Sequence, residues 1–188
     1  MNDLQPYLSA GVPAQADQFR TSLESLITLT HNALEQHAPL EQVADLRDDL
    51  VTFQAIARRI KADTLFQNAL AAEIIQLSRY EGRILASIER EGGTRTSDLT
   101  GYQSACDSVG ISRQTADAWK WLARIDDNTF ASEIETRKSN ELIPLTLGAM
   151  VWYAKALEHG LPKPALPGRA CPNCGKQLVC KFCGEKIK

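Results

Sequence analysis

Between Pro13 and Gly82 the chain holds a single helix breaker, Pro39. A stretch that long with no other Gly or Pro is free to be helical, and its apolar residues recur at helical steps. Phe19, Leu23, Leu26, Ile27, Thr30 and Leu34 form one stripe over residues 14–37. Val43, Leu46, Leu50, Phe53, Ile56, Ala57 and Ile60 form a second over residues 40–62. Phe66, Leu70, Ile74, Leu77, Ile84 and Ile88 form a third over residues 64–91, with Glu81 at the one polar step. Steps of three and four residues are the mark of an amphipathic helix, and the third series approaches a heptad. Its 28 residues would span about 42 Å, too long for a small domain to bury at every turn. A helical hairpin or a dimeric coiled coil would cover it. Gly82 inside it is expected to be a kink or a close packing point.

The texture changes after residue 91. Gly92-Gly93-Thr94-Arg95-Thr96 is a break, with Ser97 placed to cap a new helix. Short helices are predicted around Tyr102–Val109, from Ser112 to about Ile125, through Phe130 and Ile134, and from Thr146 to Leu157. Asp126-Asp127-Asn128 ends one helix and caps the next. Residues 160–170, GLPKPALPGRA, read as a semi-rigid linker. No β-rich run appears outside the cysteine-bearing end. The expected class is all-α. A long helical region spans 1–93 and a helix-turn-helix-like domain 94–159. After them come the linker and a zinc-ribbon or knuckle tail at 171–188.

Residues 99–125 follow the physical grammar of a helix-turn-helix. Ala105 and Cys106 are small where a second helix would cross. Gly110 can take the positive φ of a tight turn, and Ile111 comes next as a buried residue. Ser112 caps the second helix, and Ala116 and Trp119 fall at its inward steps. Arg113, Gln114 and Thr115 are then left on its exposed first turn, the part of this motif that meets base edges. Arg pairs with guanine and Gln with adenine. Ser112, Lys120 and Arg124 complete the candidate DNA-contacting set. Of Trp119 and Trp121, one is expected in the core and the other partly exposed. Cys106 is expected as a small buried hydrophobe.

With those residues in view, positions 46–157 resemble a group of small helical proteins from bacterial prophages and integrative elements. The counterparts are Ala71-Ala72-Glu73-Ile74 through Arg79 and Gly82-Arg83-Ile84-Leu85. Gly110-Ile111-Ser112-Arg113-Gln114-Thr115 comes next, with Trp119, Leu122 and Ala123. Asp126-Asp127-Asn128-Thr129-Phe130 and Leu145-Thr146-Leu147 complete the order. This chain departs in one place: ten residues separate Asp98-Leu99 from Gly110. The resemblance implies a DNA-associated role on a mobile element, regulatory or in replication or partition.

Four of the five cysteines lie within thirteen residues, as Cys171-Pro-Asn-Cys174 and Cys180-Lys-Phe-Cys183. Each CxxC pair is a compact turn that directs two sulfurs at one ion, and four thiolates are the donor set of structural zinc. All four positions being Cys, no ligand position is left for a catalytic water. The start of the chain lacks the basic and apolar regions of a secretory signal. The expected compartment is therefore the reducing bacterial cytoplasm, where clustered thiols read as ligands rather than disulfides. Two disulfides or a redox pair are the alternatives.

No GxSxG, HExxH, P-loop or GxGxxG is present, so no enzyme is expected. His31, His37 and His159 read as solvated positions, and the pairs Asp48-Asp49 and Asp126-Asp127 as solvated faces and helix ends. No apolar run reaches the ~18 residues of a membrane span. The net charge of −2 hides an uneven distribution. Residues 1–52 carry −6, residues 53–160 carry −1 and residues 161–188 carry +5. The acidic helices suit protein contacts, and the recognition helix and tail suit phosphates. The expected function is a non-enzymatic DNA-binding regulatory or accessory protein, a homo-oligomer with double-stranded DNA as partner. A packaging protein is a variant of it. The alternative is a scaffold or inhibitor that self-associates through its helices and docks a protein partner through the zinc tail.

Overall fold

The computed structural model describes residues 15–91 and 98–161. Their helices are α1 (Gln15–Glu35), α2 (Leu40–Arg59), α3 (Thr64–Glu91), α4 (Asp98–Ser108), α5 (Arg113–Ala123), α6 (Asp127–Lys138) and α7 (Leu147–Glu158). There is no strand among the described residues, and the all-α expectation holds for them. No helix there is long and apolar enough to cross a membrane.

Local chemistry sets the helix ends. α1 closes at His37, which takes φ +54° while the Ala38 N–H returns to the Ala33 carbonyl at 2.9 Å. Pro39 then opens α2 with an extended backbone. Lys61 ends α2 in the same left-handed conformation, φ +55°, and the Asp63 carboxylate accepts the Phe66 N–H at 2.7 Å to start α3. Asp126 and Thr146 cap α6 and α7 by accepting the Thr129 and Ala149 N–H groups, which satisfies donors that a helix leaves unpaired.

α3 is the axis, and the protein's own helices cover its stripe. Leu70, Ile74 and Leu77 join Leu23, Leu26 and Ile27 of α1 and Val43, Leu46 and Leu50 of α2 in one core cluster. Ala71, Ala72 and Ile75 pack on Leu122, Phe130, Ile134, Met150 and Tyr153 in a second. Leu85 joins Leu40, Tyr102, Cys106, Ala116 and Trp119 in a third. The regions 1–93 and 94–159 therefore share α3 as a common packing surface. Two expected core positions of α2 face outward: Ile56 and Ile60 are 38% and 57% exposed. The inward row runs Val43, Leu46, Leu50, Ala57; Ile56 lies about 100° off it, and Ile60 follows the last helical residue, Arg59, as the C-cap.

Polar groups also sit in this core. Glu81 occupies the polar step of the α3 stripe fully buried, with Arg47 of α2 bonded to it at 2.7 Å. Asn68 of α3 holds the α6–α7 connection. Its amide donates to the Asn140 and Ile143 carbonyls and accepts the Leu145 N–H at 2.6 Å.

Candidate nucleic-acid interface

α4 and α5 are joined by a short reversal. Gly110 takes φ +66°, the Ile111 N–H donates back to the Cys106 carbonyl at 3.0 Å, and the Gly110 N–H to Asp107 at 3.2 Å. A Cβ at Gly110 would meet nothing within 4 Å, so the turn needs the left-handed backbone rather than space. Ser112 caps α5, its Oγ accepting the Thr115 N–H at 3.1 Å. Cys106 and Ala116 are fully buried and Trp119 nearly so, and burial pushes the Cys106 thiol up. Trp121 is half-buried. Ile111 is half-buried against the third cluster, not fully covered as expected, because it sits in the turn itself at the cluster's edge.

The seat of α5 is made by α3. A Cβ on Gly82 would stand 2.3 Å from the Trp119 carbonyl oxygen. The two backbones meet there, and Gly82 is a close packing point inside a continuous helix. One turn earlier, the buried Arg79 gathers the end of α5. Its Nε donates to the Leu122 carbonyl at 3.2 Å, one Nη to the Ile125 carbonyl and the other to Asp127 at 2.7 Å. A cation on the last carbonyls of a helix matches its dipole. Arg83 also bonds Asp127, and the two guanidiniums hold that carboxyl below the usual range.

Arg47 reaches the same helix from α2, its guanidinium 4.8 Å from the Trp119 ring centroid. The buried Glu81 Oε1 and Trp119 Nε1 have no hydrogen-bond partner. Burial pushes the Glu81 carboxyl up to about 7 despite Arg47.

With one face of α5 clamped in this way, Ser112, Arg113 and Gln114 are exposed and Thr115 is half-buried, its hydroxyl 2.9 Å from the Ser112 Oγ. The other two candidate contacts are engaged within the protein. Lys120 Nζ lies 2.7 Å from Asp117 and 4.5 Å from the Tyr102 ring centroid, with the side chain 14% exposed. Arg124 pairs with Glu158 of α7 at 2.9 Å and covers the Trp121 ring at 4.4 Å. A shallow concavity lies beside the exposed turn, lined by Arg113, Gln114, Asp117, Ala118, Trp121 and Lys155. Sequence reasoning missed Lys155, because nothing local announces a contact between α5 and α7.

The histidines differ from the expectation in one case. His31 is half-buried, its Nε2 3.1 Å from the buried Glu73 carboxylate, and that bond raises its pKa. His37 is exposed. His159 is exposed and has its ring 5.9 Å from that of Trp121. Cys171, Cys174, Cys180 and Cys183, with the Ser97 cap, lie outside the described residues. Among the described residues no group of three or more His, Cys, Asp or Glu is placed to hold a metal.

No family model, curated protein or solved structure matches this chain.

Proposed function

We propose that the protein is a non-enzymatic DNA-binding protein of a bacterial phage or other mobile element, regulatory or accessory, acting in the cytoplasm. The α4–turn–α5 unit is its helix-turn-helix. The observation that carries this reading is the exposure of Arg113 and Gln114 on the capped first turn of a helix whose opposite face is fastened to α3. Rigid mounting of a donor-rich turn suits base-edge recognition. Arg124 and Lys120 contribute positive charge near this turn, but as members of ion pairs.

The two CxxC pairs are proposed to hold one structural Zn2+ through four thiolates. The tail has few apolar residues, Leu178, Val179, Phe182 and Ile187, so metal binding supplies the energy that orders it.

The exposed apolar side chains Leu29, Val51, Ile56 and Ile60 of the first helices and their ends favour a second property, self-association or protein docking by the acidic end of the chain. With no duplex binding, a scaffold or inhibitor role is the reading that remains.

The test is fluorescence anisotropy of labelled random-sequence and mobile-element duplexes with the zinc-loaded protein at modest salt. Arg113→Ala is expected to weaken binding and to change the ranking of sequences. Unchanged affinity would sink the assignment of α5 as the reading helix. Metal analysis on the same sample is expected to give one zinc per chain, lost on Cys174→Ser.

A further inference from the structure

Trp121 sits where cations converge from two helices. Its half-buried ring lies 4.4 Å from the Arg124 guanidinium and 5.7 Å from the Lys155 Nζ. Arg113 and Lys155, from α5 and α7, line the same concavity as Trp121. Glu158 already answers Arg124, and Asp117 answers Lys120. Among the described residues Arg113 and Lys155 have no carboxylate within salt-bridge distance. Asp117, on the same hollow, attracts Arg113 but is itself bonded to Lys120, so Lys155 is the cation left without a carboxylate there and favours an anion.

The geometry points to a phosphate-contact patch on α7 beside the exposed turn of α5, in which Lys155 grips the backbone of duplex DNA next to the bases that Arg113 and Gln114 meet. This rests on the DNA-binding reading above and adds to it a residue and an element. Phosphate contacts of this kind set the register of a reading helix without carrying sequence information. Trp121 is a positioning residue: its ring face holds the Arg124 and Lys155 heads by cation–π attraction.

One observation selects DNA over an acidic protein segment. The apolar content of the concavity is one indole and the Ala118 methyl, too little for the dry centre of a protein interface.

The test compares full-length zinc-loaded wild type, Lys155→Met, Lys155→Arg and Arg113→Ala by anisotropy across a salt series, with circular dichroism to confirm equal helix content. Lys155→Met keeps the aliphatic stem. It is expected to weaken all duplexes by a similar factor and to flatten the slope of log K against log salt by about one. Lys155→Arg retains both. If Arg113→Ala weakens binding while Lys155→Met leaves affinity and slope untouched, the α7 patch is overturned and the helix-turn-helix reading stands. If wild type shows no salt-dependent duplex binding, both fall. Lys155-dependent retention of polyglutamate in that case assigns the patch to an acidic protein instead.

Discussion

Gly82 and Gly101 are both glycines inside helices, and their surroundings give them opposite predicted responses to alanine. Alanine is favoured in a helix by ~1 kcal/mol, and at Gly101 a Cβ would meet nothing within 4 Å. Gly101→Ala is therefore expected to stabilise the protein modestly. At Gly82 the same methyl would press on the Trp119 carbonyl, so Gly82→Ala is expected to cost about 2–4 kcal/mol as α3 and α5 are forced apart. Urea unfolding of the two variants measures both signs, and equal responses would remove Gly82 as the contact point. Glu81 gives the second residue-scale prediction. Its carboxyl titrates near 4.5 when exposed and at about 7 in the fold. The folded state therefore holds its proton more tightly. The stability this group contributes is fully present below pH 4.5 and is lost as pH rises through 7. The stability difference between wild type and Glu81→Gln is expected to change by ~3 kcal/mol between about pH 4 and pH 8. A difference that stays flat would place the ionisation elsewhere.

Helix ends formed largely as their sequences foretell. Ser112, Asp126 and Thr146 each accept the N–H three residues on, and Gly110 turns through positive φ. Caps and turns are legible because both partners lie within a few residues. The α3 stripe and the inward pair Ala116 and Trp119 were legible for a related reason, since helical periodicity is local too. Contacts between distant residues were not. Nothing near Asn68, Arg79 or Arg47 says that a polar side chain there will be buried, because each takes a partner from a segment 34 to 77 residues away, Arg47 in addition to the adjacent Asp48. The same distance hid Lys155, and it hid the pairing that draws Arg124 toward Glu158. Asn68 supplies the test at this scale. Asn68→Ala leaves the Asn140 and Ile143 carbonyls and the Leu145 N–H without that partner, an expected loss of roughly 2–4 kcal/mol. Limited proteolysis is expected to cut first between α6 and α7, and an unchanged cleavage pattern would show that the connection holds without Asn68.

At the scale of the molecule, the described helices have three core clusters and no metal-ligating group, while all four clustered cysteines belong to the tail. Chelation of zinc is accordingly expected to leave the far-ultraviolet helix signal and its melting temperature unchanged while lowering duplex affinity. Melting that shifts with metal would show that the tail braces the helices. The placement of α3 has one more consequence. Its residues enter every core cluster, and the chain passes from it to α4 between residues 91 and 98. A break in the backbone there would separate α3 from four of the helices it supports. Each fragment would carry a bare apolar face complementary to the other. Two such fragments, produced as separate polypeptides, should find one another and rebuild the fold. The protein would then behave as a heterodimer whose stability depends on concentration.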